Sequence, residues 1–213
     1  MKYAVMATDN NPNYQNLVPI CAGGWQRLGW APLVICCNTG AKPPCAANFI
    51  HMNDPRIKSS RVAMISRFVV ANHDPSLHSQ DILLTTDADA LILQAPWMDE
   101  ALEYAKQGYL VSIAHDWKKY NIIAAWYIMG MVATWQQVIP YSLSEVITQH
   151  LPELLSDEGY SFDERWLKRD IFSKHSEKFK FIVRDNKDRI HSQHLKDICD
   201  IHLHLWKERV FDL

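Results

Sequence analysis

The sequence contains no hydrophobic run that approaches the roughly 18 residues needed to cross a membrane, and it has no strong excess of either charge. Its 22 Lys and Arg residues nearly balance its 24 Asp and Glu residues, which leaves a formal net charge of −2. Such a balance excludes a basic nucleic-acid-binding domain and a highly charged disordered tail. The first nine residues become polar too soon for a secretory signal. We therefore expect a cytoplasmic protein with no membrane span, no anchor and no nucleic-acid partner.

Cysteine is also scarce, with 5 residues in 213, and its spacing matches no zinc site. Because no secretory signal is recognisable, reduced thiols are the expected state. Cys36 and Cys37 end an apolar segment, so we predict that both are small core residues. What the sequence does contain suits a globular domain, since 48% of its residues are hydrophobic and its length allows one full core.

Apolar and polar segments alternate along the chain in the order expected for an α/β domain. Residues 3–7 suggest a first strand, residues 14–28 a helix that Gly29 ends, and residues 31–36 a second strand. This strand–helix–strand order predicts parallel pairing through a crossover connection. Further strands are predicted over 82–86, 109–114 and 179–183, and further helices over 54–71, 98–107, 135–151 with a break at Pro140, and 163–175. We expect one domain over 1–213, with a central, mostly parallel or mixed sheet flanked by helices.

The most informative motif is Asp87-Ala88-Asp89, which separates two apolar segments at residues 82–86 and 90–93. Charge is costly at the end of a buried strand, so a carboxylate there needs a cation or several hydrogen bonds. Mg²⁺ and Mn²⁺ prefer oxygen ligands, and Mg²⁺ is commonly held by one or two carboxylates together with substrate phosphates. The motif also suits a simple polar turn, because Asp favours turns and caps. The strand context favours a ligand site, since open α/β sheets bind ligands at the carboxyl ends of their strands.

Five short motifs, in order along nearly the whole chain, resemble the nucleotide-sugar glycosyltransferases of the GT-A fold. They are Arg67–His73, Leu83–Leu93 with its Asp-x-Asp, Met129–Met131, Phe162–Leu167 and His202–Lys207. The glycine and proline that usually accompany the late His and Lys in these enzymes are absent. The compact size also resembles a chlorella-virus glycosyltransferase domain of capsid-glycan synthesis. The resemblance implies a GT-A domain in which residues 1–95 bind the nucleotide and residues 96–213 bind the sugar and the acceptor.

A divalent cation, Mn²⁺ or Mg²⁺, is the cofactor that this resemblance implies. Asp89 is then a direct metal ligand, and Asp87 is either a second ligand or a ribose contact. His202 and His204 would face one side of an extended segment, so that one of them could complete the metal shell. The alternative is a pair of partly exposed histidines on an edge strand. The resemblance favours His202, because Lys207 follows it at the spacing of the family.

Nucleotide contacts are expected after the first strand, where this fold usually holds the base and the ribose. Thr8, Asp9 and Tyr14 occupy that place, and the resemblance favours uracil as the base. The alternative for Asp9 is a cap on the helix that follows. Arg67 or Lys207 is expected to pair with the diphosphate, Arg through its bidentate fork. The alternative for either cation is a solvated surface charge.

Asp163 and Glu164 are the predicted catalytic pair. In the retaining enzymes that the motif resembles, one acid binds sugar hydroxyls and the other lies near the anomeric carbon. We predict direct sugar contact for Asp163, and a nucleophile role for Glu164 is the less favoured assignment. The alternative is that both acids only meet the dipole in the first turn of a helix.

The implied activity is transfer of a hexose or deoxyhexose, of the glucose or rhamnose class, from a UDP-sugar such as UDP-glucose to a glycan or glycoprotein acceptor. Retention at the anomeric carbon is favoured, and water is an expected second acceptor. A phosphatase of the haloacid dehalogenase type is one alternative, although Leu91 stands where its motif has Thr. A sugar nucleotidyltransferase would need a glycine-rich loop where this chain has residues 9–13. A sugar-nucleotide binder without turnover would share most of the site residues.

Overall fold

The structure, a computed structural model, describes residues 1–114, 123–156, 161–183 and 200–202. Seven of the strands in these residues form one sheet, and two short strands pair with each other. The strands are β1 (Lys2–Thr8), β2 (Ala31–Cys37), β3 (Asn48–Met52), β4 (Ile82–Thr85), β5 (Ala90–Ile92), β6 (Leu110–Ala114), β7 (Ile128–Met131), β8 (Phe179–Val183) and β9 (Asp200–His202).

The seven-stranded sheet has the order β3-β2-β1-β4-β7-β6-β8. The strands β1 to β4 run parallel to one another, as β6 and β8 do. Only β7 runs against both of its neighbours, which makes the sheet mixed. The separate pair consists of β5 and β9 in antiparallel register. The predicted α/β fold with a mostly parallel, mixed sheet is therefore confirmed.

Helices cover both faces of the sheet. In chain order they are α1 (Pro12–Gln15), α2 (Val18–Arg27), α3 (Ser59–His73), α4 (Met98–Lys106), α5 (Val132–Val138), α6 (Leu143–Leu155), α7 (Phe162–Trp166), a π-helix (Leu167–Phe172), α8 (Ser173–His175) and a 3₁₀ helix (Ser176–Lys178). Side chains alternate between the faces along each strand. One face packs against α3, α5, α6 and α7, and the other packs against α2 and α4.

Several predicted elements differ from the observed ones for local reasons. The helix expected over 14–28 is two helices, and Pro19 lies in the first turn of the second, where its missing N–H is not needed. The helix expected from Asp54 or Pro55 begins at Ser59, because Arg56 folds back onto Asp54 in the preceding loop with an Nη2–Oδ2 distance of 2.6 Å. The segment 163–175 is α-helical only at its two ends. Strand β3 was not predicted.

Two smaller predictions are confirmed. The helices α5 and α6 are separated around Pro140, as the sequence indicated. Cys36 and Cys37 are fully buried core residues. All four cysteines within the described residues are free thiols.

Gly130 in β7 is required by close packing, which gives a first testable prediction. A Cβ atom on Gly130 would lie 2.5 Å from Cδ2 of Leu110 and 3.3 Å from the carbonyl oxygen of Tyr109. Because Leu110 is itself fully buried, we expect Gly130→Ala to lower the free energy of unfolding by about 1–3 kcal/mol. Urea denaturation measures this change. Gly23→Ala in α2 is the matched control, since nothing lies within 4 Å of its added Cβ, and an unchanged midpoint for both variants would contradict the prediction.

Candidate active site

The predicted site residues gather where the strand order changes direction. The sheet continues through β2 and β3 on one side of β1, and through β4 on the other side. Ligands of open α/β sheets bind outside the carboxyl ends of the strands at such a point. Asp9 follows β1 and Asp87 follows β4, and because these strands are parallel neighbours both residues lie at the same edge. The topology therefore supports a ligand site between the two loops.

The Asp87–Asp89 segment is both a turn and a site of buried charge. The backbone N–H of Ala90 donates to the carbonyl oxygen of Asp87 across 3.2 Å, as in a tight turn. Asp89 is nevertheless only 4% exposed, whereas the side chain of Asp87 keeps 25% of its surface accessible. A turn by itself does not require a buried carboxylate, and the charge of a buried carboxylate must be compensated by a cation or by hydrogen bonds. The turn reading is correct for the backbone but does not account for the position of Asp89.

Arg67 joins the turn after β4 to the start of α7. Its Nη1 lies 2.5 Å from Oδ1 of Asp87, and its Nη2 lies 2.7 Å from Oδ2 of Asp163. The side chains of Arg67 and Asp163 are 10% and 5% exposed. Three of the predicted site residues, from separate parts of the chain, thus form one buried charged cluster. Arg67 is not the solvated surface cation of the alternative interpretation.

Charge and burial shift two pKa values in this cluster. Burial alone would lower the pKa of Arg67, but the carboxylates of Asp87 and Asp163 outweigh it and raise that pKa above its ordinary value. Burial, followed by the charge of Asp163, raises the pKa of Glu164 to about 7. A hydrogen bond from the backbone of Ala125 and the charge of Arg67 oppose that rise. Burial therefore brings the pKa of the Glu164 carboxyl group close to neutral pH.

The start of α7 has an unusual backbone that sets the direction of both acids. Ser161 precedes the helix with φ of 60° and ψ of 23°, in the left-handed region that costs energy for a non-glycine residue. The backbone N–H of Glu164 donates to Oδ1 of Asp163 across 3.0 Å. Asp163 is buried and both of its side-chain oxygens have hydrogen-bond partners. The favourable interaction with the helix dipole is therefore only one of the interactions of this carboxylate.

The residues after β1 form a second, more open part of the site. Asp9 accepts hydrogen bonds from the backbone of Asn11 at 3.0 Å and from the hydroxyl of Ser59 at 3.2 Å. Asn11, rather than Asp9, caps helix α1 with its side chain, so the capping alternative for Asp9 does not hold for that helix. Thr8 is buried beside it, and Tyr14 on α1 is 37% exposed. Tyr14 is thus accessible to a planar base, whereas Asp9 is already engaged with α3.

The predicted metal ligands are only partly described. In β9, the backbone of His202 pairs with Ala90, the residue that follows Asp89. The extended conformation expected at His202 is therefore present, next to the acidic turn. His204 and Lys207 lie outside the described residues. Across 1–114, 123–156, 161–183 and 200–202, no three His, Cys, Asp or Glu side chains cluster in a way that could hold a metal ion.

Sequence reasoning did not find Ser59 or Ala125 as parts of this site. Ser59 contacts Asp9 from 50 positions away, and Ala125 contacts Glu164 through its backbone. Neither residue belongs to a motif, and a backbone donor leaves no trace in the residue type. The fold alone brings them to the site.

Comparison with known proteins identifies the fold. No protein-family model matches the sequence, and no curated protein matches it significantly. Among solved structures, the galactosyltransferase LgtC, in complex with donor and acceptor sugar analogues, superposes with a TM-score of 0.56 at 12% identity, over 95% of this chain and 86% of LgtC. A glycosyltransferase involved in glycosylation of the major capsid of PBCV-1 gives a TM-score of 0.60 at 9% identity, over 100% of this chain and 99% of that protein. The fold is that of the GT-A glycosyltransferases.

A third structure shows the same fold inside a longer protein. The glycosyltransferase GlyE of Streptococcus pneumoniae TIGR4 matches 94% of this chain with 54% of its own, at a TM-score of 0.54 and 13% identity. At identities this low, the superpositions establish the GT-A architecture alone, and the chemistry must be argued from the residues of this chain.

None of the helices in the described part of the chain has the length and hydrophobicity needed to cross a bilayer.

Proposed function

We propose that this chain is a metal-dependent glycosyltransferase that moves a hexose or deoxyhexose from a UDP-sugar to a glycan acceptor. The observation that carries the proposal is the cluster at the carboxyl edge of β4, where Arg67 joins Asp87 to Asp163 beside the buried Asp89. Its place at the strand-order switch of a GT-A fold supports a nucleotide-sugar ligand. The glucose or rhamnose class, and retention at the anomeric carbon, rest on the sequence resemblance.

The acidic turn fits a cation that is shared with substrate phosphates. Two aspartates, one of them buried, are the donor set that Mg²⁺ or Mn²⁺ uses when phosphate oxygens supply further ligands. Asp89 and Asp87 would hold the cation, with His202 next to them in the backbone register. When bound, the cation would neutralise negative charge on the departing diphosphate.

The remaining residues would bind and orient the donor. Tyr14 is accessible for stacking on the base. Asp163 would accept hydrogen bonds from sugar hydroxyls, with its Oδ2 held 2.7 Å from Nη2 of Arg67. Glu164 follows Asp163 in the first turn of α7 and lies close enough to Asp163, Arg67 and Asp87 for their charges to shift its pKa. A carboxylate that is held in one orientation would favour one orientation of the donor sugar over others.

Donor turnover and its dependence on metal test the proposal directly. We expect UDP release from at least one of UDP-glucose, UDP-galactose and UDP-rhamnose in the presence of Mn²⁺, because water can replace the glycan as acceptor. Excess EDTA should reduce that release to background, and added Mn²⁺ should restore it. Liquid chromatography of UDP and the free sugar measures both products.

Other outcomes favour other functions. Equal turnover with Mn²⁺ and with EDTA would contradict the metal role. Phosphate release from simple phosphoesters would indicate the phosphatase alternative, and formation of a UDP-sugar from UTP and a sugar 1-phosphate would indicate the nucleotidyltransferase. A UDP-sugar that raises the melting temperature without any product would point to a binding protein.

A further inference from the structure

Arg67 is held in a way that leaves its two terminal nitrogens committed to protein carboxylates. It is a residue of α3, and its guanidinium lies 5.1 Å from the ring centre of the adjacent Phe68. Nη1 contacts Asp87 and Nη2 contacts Asp163, at 2.5 and 2.7 Å. A guanidinium in this geometry directs its fork at the two aspartates. Although its buried Nε has no hydrogen-bond partner, a bidentate pair between the fork and a diphosphate would have to compete with these two carboxylates.

The two aspartates that Arg67 contacts belong to separate segments of the chain. Asp87 lies in the turn after β4, and Asp163 lies in the first turn of α7. Two carboxylates bound to opposite nitrogens of one guanidinium lie close enough to repel each other strongly at this degree of burial. Arg67 supplies the positive charge that keeps the two carboxylates together. A displacement of one segment therefore shifts Arg67 and changes its contact with the other segment.

The sugar and the cation would occupy these same two segments. Asp87 belongs to the turn assigned to the cation, and Asp163 to the helix assigned to the sugar. On the basis of the proposed function, we infer that Arg67 is a positioning residue that couples the cation-binding turn at Asp87–Asp89 to the sugar-binding helix α7. It is not the residue that binds the diphosphate. A ligand that orders one of these segments then also favours the binding-competent position of the other. Binding at the two parts of the site is therefore coupled.

Binding of UDP and of UDP-sugar by Arg67→Lys separates these two roles. Lysine keeps the positive charge but offers a single ammonium group that cannot reproduce the planar fork. If Arg67 couples the segments, the affinity of Arg67→Lys for UDP with Mn²⁺ should stay within about threefold of the wild-type affinity. The factor by which the UDP-sugar binds more tightly than UDP should, in contrast, be at least about tenfold smaller in Arg67→Lys than in the wild type. Isothermal titration with UDP and with UDP-glucose, UDP-galactose or UDP-rhamnose measures both quantities.

A matched control and the contrary result are available in the same helix. Arg61→Lys changes the same residue type in α3 at a position whose guanidinium contacts the sulfur of Met64, and its affinities for UDP and the UDP-sugar should equal those of the wild type. A loss of UDP affinity of about tenfold or more in Arg67→Lys would assign Arg67 to the diphosphate and overturn the inference. An unchanged gain from the sugar would overturn it too.

A stability cycle tests the bridge without any ligand. In EDTA, we expect Asp163→Asn to lower the melting temperature of the wild type by about 6 °C or more, because it removes one partner of a buried ion pair. The same substitution in Arg67→Lys should cost clearly less, since contacting residues are not additive. Additive losses would overturn the bridge. If wild-type protein binds no UDP, the proposed function and the ligand coupling both fail, while the cycle still decides whether Arg67 connects the segments.

Discussion

Asp89→Asn is expected to lower metal-dependent UDP release by at least about 100-fold, the scale on which removal of one electrostatic contact acts in a preorganised site. Asn keeps the shape of the side chain and one acceptor oxygen but carries no charge. Asp89 is 4% exposed and lies in the turn between β4 and β5. In the proposed function Asp89 is a charged ligand of the cation, so its neutralisation would weaken cation binding.

The measurement is the rate of UDP release at saturating Mn²⁺, together with the rise in melting temperature that Mn²⁺ and UDP produce. Wild-type protein should show both, because a ligand that binds the native state stabilises it by mass action. Asp89→Asn should unfold cooperatively without ligand and show no such rise. Asp99→Asn is the matched control, since Asp99 lies in the first turn of α4 on an exposed surface. Full activity in Asp89→Asn would remove the basis of the proposed function.

Strands β3 and β4 show why only part of the fold could be predicted from the sequence. All four residues of β4 are buried, so they form a continuous apolar segment that indicates a central parallel strand. In β3, Asn48 and His51 are exposed and only Met52 is fully buried. An edge strand that pairs on one side with β2 needs no apolar run. Although β3 contains Phe49, Ile50 and Met52, these apolar residues do not alternate regularly with polar ones, so its sequence signal is weaker than that of β4.

The candidate site likewise combines features that adjacent residues form with contacts between residues that are far apart in the sequence. The Asp87–Asp89 doublet and its place after β4 follow from adjacent residues, so the sequence predicts them. The bridge through Arg67 joins residues that are 20 and 96 positions apart. Neither separation produces a period or a motif, because the contact depends on how α3 and α7 pack on the sheet. Sequence reasoning selected Arg67, Asp87 and Asp163 separately and could not show that they touch.

Glu164 makes the stability of the metal-free protein depend on pH in an unusual direction. Its pKa rises from 4.5 to about 7 on folding, so between these values the folded state binds more protons than the unfolded state. The contribution of Glu164 to the free energy of unfolding must therefore fall as pH rises. The contribution of Glu164 is complete below the unfolded-state pKa and is lost as pH rises through about 7. Most surface carboxylates that gain a cationic partner behave in the opposite way.

Glu164→Gln should remove this dependence, because glutamine mimics the protonated side chain at every pH. In EDTA, we expect the variant to be more stable than the wild type by about 2 kcal/mol at pH 8.5, and the two to be nearly equal at pH 4.5. Urea denaturation at both pH values measures the difference. Glu100→Gln on the exposed side of α4 is the control, and a gain of the same size there would assign the effect to net charge. If Glu164→Gln were instead less stable at pH 8.5, the ionised form would have to be the one that the site stabilises, and a cationic partner would then be needed to explain it.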